Sequence, residues 1–83
     1  MAQGEKRFDQ MRRNPKGDWR IEDVEVVCAW AGVECCKPSN GSHYGVAHPS
    51  QTDILTIPYK RPIKALYIKK LVDFIDAVKR SEK

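Results

Sequence analysis

Residues 33–57, VECCKPSNGSHYGVAHPSQTDILTI, decide the fold of this chain. Val33-Glu34-Cys35-Cys36-Lys37 reads as a short strand. Pro38-Ser39-Asn40-Gly41 is turn chemistry, because proline presets its backbone angle and glycine accepts conformations other residues avoid. A second strand runs from about Ser42 to His48, with apolar residues in alternation. Pro49-Ser50-Gln51-Thr52 turns the chain again. Ile54-Leu55-Thr56-Ile57, rich in β-branched residues, is the third strand. Strands separated by such short turns pair antiparallel.

Helical periodicity flanks this block on both sides. Gly4 to Arg13 is helix-compatible, with Phe8 and Met11 three apart on one face. Asn14-Pro15-Lys16-Gly17 ends that helix. Asp18 is placed to cap a second helix, whose apolar stripe is Ile21, Val24, Val27, Cys28 and Ala31. Glu22, Asp23 and Glu25 favour the positive end of its dipole, and Gly32 suits its stop. A last helix is predicted from about Lys64 to Lys79, with Ile68, Leu71, Val72, Ile75 and Val78 on one face. The predicted class is therefore α+β, with a central α-β-β-β-α order. A three-stranded antiparallel sheet carries helices on one face and leaves the other open. Residues 1–17 form a short extra N-terminal helical extension, and residues 18–80 form the single domain.

Eighty-three residues support only a thin core. A chain of this size buries roughly 60–65% of the surface its unfolded form exposes. A deep catalytic cavity does not fit, so the expected substrate is a polymer lying across the surface rather than a small molecule, unless a partner completes the site. The net charge is +4, unevenly spread. Residues 21–36 hold four acids and no base, whereas residues 37–70 hold six bases and one acid, Asp53. A basic central stretch favours a polyanionic partner. The plainer reading of the same charge is solubility.

The three cysteines follow no secreted disulfide framework, and no apolar run resembles a signal peptide or a membrane span. The expectation is a reduced, cytoplasmic protein with mostly buried thiols and no membrane partner. Zinc is a poor fit. Cys28 and Cys35 have six residues between them, and the adjacent Cys35 and Cys36 point to opposite faces of a strand. No cofactor and no metal are expected.

His43 is the sharpest candidate for chemistry. Alternation puts Tyr44, Val46 and His48 on one face of the second strand, and His43, Gly45 and Ala47 on the other. With Val46 facing the core, His43 faces the open side among small residues. Imidazole both takes and gives a proton near neutral pH. One such group on a basic surface can move the protons of RNA cleavage without a metal. The plain alternative is an exposed turn histidine with no role. His48, at the strand's end, reads as a capping or half-buried residue. It lies roughly 16 Å along the strand from His43, too far for a shared proton path. Lys60, Arg61 and Lys64 sit where the third strand hands over to the last helix, whose first amides already attract phosphate. Lys37, Lys69 and Lys70 extend that basic region.

These features resemble the HicA toxin family, the mRNA interferases of bacterial toxin–antitoxin pairs. The resemblance rests on Asn14-Pro15 and Trp19, on Gly41-Ser42-His43, and on His48-Pro49. It continues through Ile54-Leu55-Thr56-Ile57-Pro58 and Arg61-Pro62-Ile63-Lys64. Asn40 and Ala65 depart from the family's commoner residues. The resemblance implies a double-stranded-RNA-binding-like fold and a metal-independent endoribonuclease that binds and cleaves mRNA. It implies a catalytic role for His43, with Gly41, Ser42, Lys60, Arg61 and Lys64 binding substrate. It also implies neutralisation by a cognate HicB-type antitoxin. Two other functions share these residues: a non-catalytic RNA-binding module, and an interaction protein that docks an acidic antitoxin.

Overall fold

Each apolar stripe becomes one element. The order is α1 (Gln3–Arg13), α2 (Ile21–Ala31), β1 (Glu34–Cys36), β2 (His43–Ala47), β3 (Leu55–Pro58) and α3 (Ala65–Ser81). The computed structural model describes residues 3–37, 43–58, 60 and 62–81. The strands form one antiparallel sheet in the order β1-β2-β3. The predicted α-β-β-β-α order and the extra first helix are both present, with ends shifted by a residue or two.

The register explains which face is covered. Cys35 and Leu55 both pair with Val46, and Tyr44 pairs with Ile57, so these five side chains share one face. Val46 and Ile57 are fully buried there. On the other face lie Glu34, Cys36, His43, Gly45, Ala47 and Thr56, all of them exposed or half-buried. Helices α2 and α3 lie against the sheet, and α1 packs on both of them. The core joins Val24, Val27 and Cys28 of α2 to Ile68, Leu71 and Ile75 of α3 through Val46 and Ile57.

Phe8 and Met11 sit in the same core, so the helix that the sequence sets apart as residues 1–17 contributes to it. Gly4 lets α1 approach α2 closely: a Cβ there would lie 2.2 Å from the Cβ of Trp30. The Phe8 and Trp30 rings meet at 5.5 Å. Arg7 of α1 binds Asp23 of α2 at 2.9 Å, and Arg12 reaches Asp76 of α3 at 2.6 Å.

The start of α2 corrects the expected cap. Arg20, not Asp18, precedes the helix, and the Asp23 carboxylate reaches back to accept the Arg20 N–H at 3.1 Å. One carboxylate thus satisfies a backbone donor at the helix start and holds Arg7 of the neighbouring helix. At the other end Gly32 adopts φ 73°, a left-handed stop that costs glycine no steric penalty. The expectation of mostly buried thiols is also corrected. Cys28 is buried and Cys35 is half-buried, but Cys36 is exposed on the open face.

Candidate functional site

The site begins where β3 ends. His43, the first residue of β2, pairs with Pro58, the last of β3. Proline has no N–H to continue the ladder, so pairing stops and the chain is released toward α3. Lys60 follows two residues later. Ile63 then anchors the connection: it is buried, and its N–H donates to the Trp19 carbonyl at 2.9 Å. Lys64 comes next, at the cap position of α3, where its carbonyl accepts from the N–H groups of Tyr67 and Ile68 at 3.0 and 3.2 Å. Helix α3 begins at the next residue, Ala65, within one residue of the expected start at about Lys64, and Lys64 is its cap.

These steps enclose a groove of about 500 Å³ lined by His43, Pro58, Lys60, Pro62, Lys64 and Tyr67. It brings together an imidazole from β2, a cation from the connection and a cation at the helix start, although these are distant in sequence. His43, Lys60 and Lys64 are all exposed, and Tyr67 is half-buried. Lysine offers no acceptor to cap the first amides of α3. The helix dipole and the two ammonium groups therefore add in one place, an arrangement that favours phosphate. Gly41, Ser42 and Arg61, the remaining expected substrate-binding residues, lie outside the described residues.

The sheet register adds a third cation at this end. Cys36 pairs with Gly45, so Lys37 leaves β1 at the end of the sheet where His43 begins β2. Lys70 lies over the Tyr67 ring, its Nζ 5.9 Å from the ring centre. Lys69 is exposed on α3.

His48 is held quite differently. Its Nδ1 accepts the Ser50 N–H at 3.0 Å and lies 2.7 Å from the Ser50 hydroxyl oxygen. A backbone N–H can only donate, so Nδ1 is the acceptor nitrogen in the neutral ring. This histidine shapes the β2–β3 turn, as the capping reading expects.

The cysteines form a separate pair behind the sheet. The Cys28 thiol is held well above its ordinary pKa, first by a hydrogen bond shared with Cys35 and then by burial. The same hydrogen bond lowers that of Cys35. On the open face, the Cys36 thiol donates to the Glu34 carboxylate at 3.4 Å, and this raises its pKa. Among the described residues, no three histidine, cysteine or acidic side chains come together as metal ligands would. No described helix is long and apolar enough to cross a membrane.

The sequence reading missed Tyr67 as a lining residue. It falls outside the stripe of Ile68, Leu71, Val72, Ile75 and Val78. Its place one helical turn beyond Lys64 was the available signal. Comparison with known proteins finds no matching family model, curated protein or solved structure.

Proposed function

We propose that this protein is a cytoplasmic, metal-independent endoribonuclease that binds and cleaves mRNA, the toxin of a toxin–antitoxin pair. The observation that carries the reading is the groove, which holds His43 beside Lys60 and Lys64. The resemblance to the HicA family supports it, as does the α-β-β-β-α order, which suits a double-stranded-RNA-binding-like domain.

The chemistry follows from these groups. The lysines and the start of α3 hold a phosphodiester. His43 takes the proton from the 2′-hydroxyl as that oxygen attacks phosphorus. The P–O5′ bond breaks, and the departing 5′-oxygen receives a proton from imidazolium, directly or through water. The products are a 2′,3′-cyclic phosphate and a free 5′-hydroxyl, with no net change in protons. Acid–base assistance of this kind contributes about 10²–10⁴-fold. That is modest for a metabolic enzyme but serves a toxin, which needs only to outpace mRNA synthesis.

The same lining supports a second reading. Its described residues include one imidazole and no carboxylate, a set suited to holding phosphate even without cleavage. RNA cleavage in excess EDTA separates the two. The wild-type chain is expected to degrade RNA, and His43→Ala to lose activity while circular dichroism shows it folded. Full cleavage by His43→Ala sinks the catalytic reading. Binding without cleavage by the wild type favours the RNA-binding module.

The partner in this reading is a HicB-type antitoxin that covers the His43 face and engages the same lysines. An interface mapped away from His43, Lys60 and Lys64 would contradict that placement.

A further inference from the structure

We infer that Tyr67 is a stacking platform for one unpaired base, so that the groove takes a single-stranded RNA segment and not a duplex. The inference rests on the RNA-cleaving reading and deepens it by naming the form of RNA and the residue that selects it.

Tyr67 lies where its ring can act in this way. It packs against the hydrophobic core and also lines the groove that His43 lines. The core contact holds the ring at little further entropic cost, which is what makes an aromatic side chain a good platform. Lys70 lies over one face of the ring and Lys60 and Lys64 share the groove, so a base seated on the other face has cations in the same site for its phosphates. Single-stranded binders combine these same two parts, a cationic track and an aromatic ring.

The size of the groove argues for an unpaired strand. About 500 Å³ lies within the range that encloses a small molecule, roughly 300–1,000 Å³, and suits one nucleotide. A base can enter only when it is splayed from its neighbours, as in loops and single strands. A paired base keeps both faces within the helical stack. A base on Tyr67 would place its own or the adjoining ribose toward His43, across the same groove.

The test uses fluorescence anisotropy with a labelled 2′-O-methyl oligonucleotide, which the chain cannot cleave by the route above. Tyr67→Phe keeps the ring and is expected to bind within about twofold of wild type. Tyr67→Leu keeps apolar packing but not the aromatic face. It is expected to bind about 5- to 100-fold more weakly, the loss of one stacked base. A duplex of the same sequence is expected to bind at least tenfold more weakly than the single strand.

Equal binding by Tyr67→Leu and wild type overturns the inference, as does equal binding of duplex and single strand. A loss in Tyr67→Phe as large as that in Tyr67→Leu also overturns it, by assigning the work to the hydroxyl. Should Tyr67→Leu fail to fold, an abasic nucleotide moved along the oligonucleotide keeps the test in the wild-type chain. One position is expected to weaken binding by the same factor, and no weakening at any position overturns the inference. The two ideas fail separately. Active wild-type protein with unaltered binding in Tyr67→Leu removes the platform and keeps the ribonuclease. Full cleavage by His43→Ala with weakened Tyr67→Leu removes His43 catalysis and keeps the platform. No binding of RNA by the wild type removes both.

Discussion

At one end of the sheet Lys37, Lys60 and Lys64 stand near the start of β2, where His43 opens onto a groove. At the other end Glu34 and Asp53 flank the turn in which Ser50 engages His48. The two histidines bracket one strand, His43 opening β2 and His48 following its last residue, yet one lines a surface suited to anions and the other completes a turn. Position on a strand decides little by itself. What differs is the connection that follows: β2 leads to β3 through a compact turn, whereas β3 leads to a helix through a cationic loop.

The comparison breaks most readily at the histidines themselves. His43→Ala is expected to lower RNA cleavage by about 10²–10⁴-fold, and His48→Ala to leave it within a few-fold. Initial rates on a defined RNA check this, and equal losses would erase the distinction between the ends.

Charge gives the next largest effect. Replacing Lys60 and Lys64 together with alanine is expected to weaken RNA binding. It should also flatten the dependence of log affinity on log salt by about 1.4, some 0.7 per phosphate contact on a single strand. Asp53→Asn, at the other end, should leave that slope unchanged. Anisotropy titrations across a salt series measure both.

Stability sharpens the contrast from the other side. Loss of the bond between the Ser50 N–H and His48 in His48→Ala is expected to cost about 0.5–1.5 kcal/mol, seen as a lower urea midpoint at unchanged slope. The smallest effect concerns Cys36, beside Glu34 on the open face. The Glu34 carboxylate raises the thiol's pKa, so thiolate is scarce at a given pH. Glu34→Ala removes both the hydrogen bond and the charge, lowers the pKa and is expected to speed alkylation of Cys36 a few-fold at mildly alkaline pH. Because the shift is upward, the difference should shrink once the pH is high enough to ionise both thiols.

Much of this was legible in the chain. The stripes of α2 and α3 identify their buried faces because helical period and burial obey one geometry. Alternation placed His43 opposite Val46 for the same reason. The cap of α2 was misplaced because any acid near a helix start looks suitable, and only the backbone path shows that Asp23 reaches back to Arg20. The close approach of Gly4 to Trp30 leaves no periodic trace, since it belongs to two helices at once. Tyr67 was missed because a groove is a property of three separate segments meeting. Its neighbours Ile68 and Leu71 announce the core, while its own exposure to the groove depends on where β3 releases the chain.

The bond from the Ile63 N–H to the Trp19 carbonyl has a mechanical consequence. It fastens the rim of the groove, between Pro62 and Lys64, to the linker that joins the first two helices. Trp19 is braced in turn by its indole N–H on the Asn14 carbonyl. The groove is thus suspended from both halves of the chain, like a bridge deck hung from two towers. Trimming the front of the chain past Trp19 would remove the anchor of a wall that lies far away in sequence.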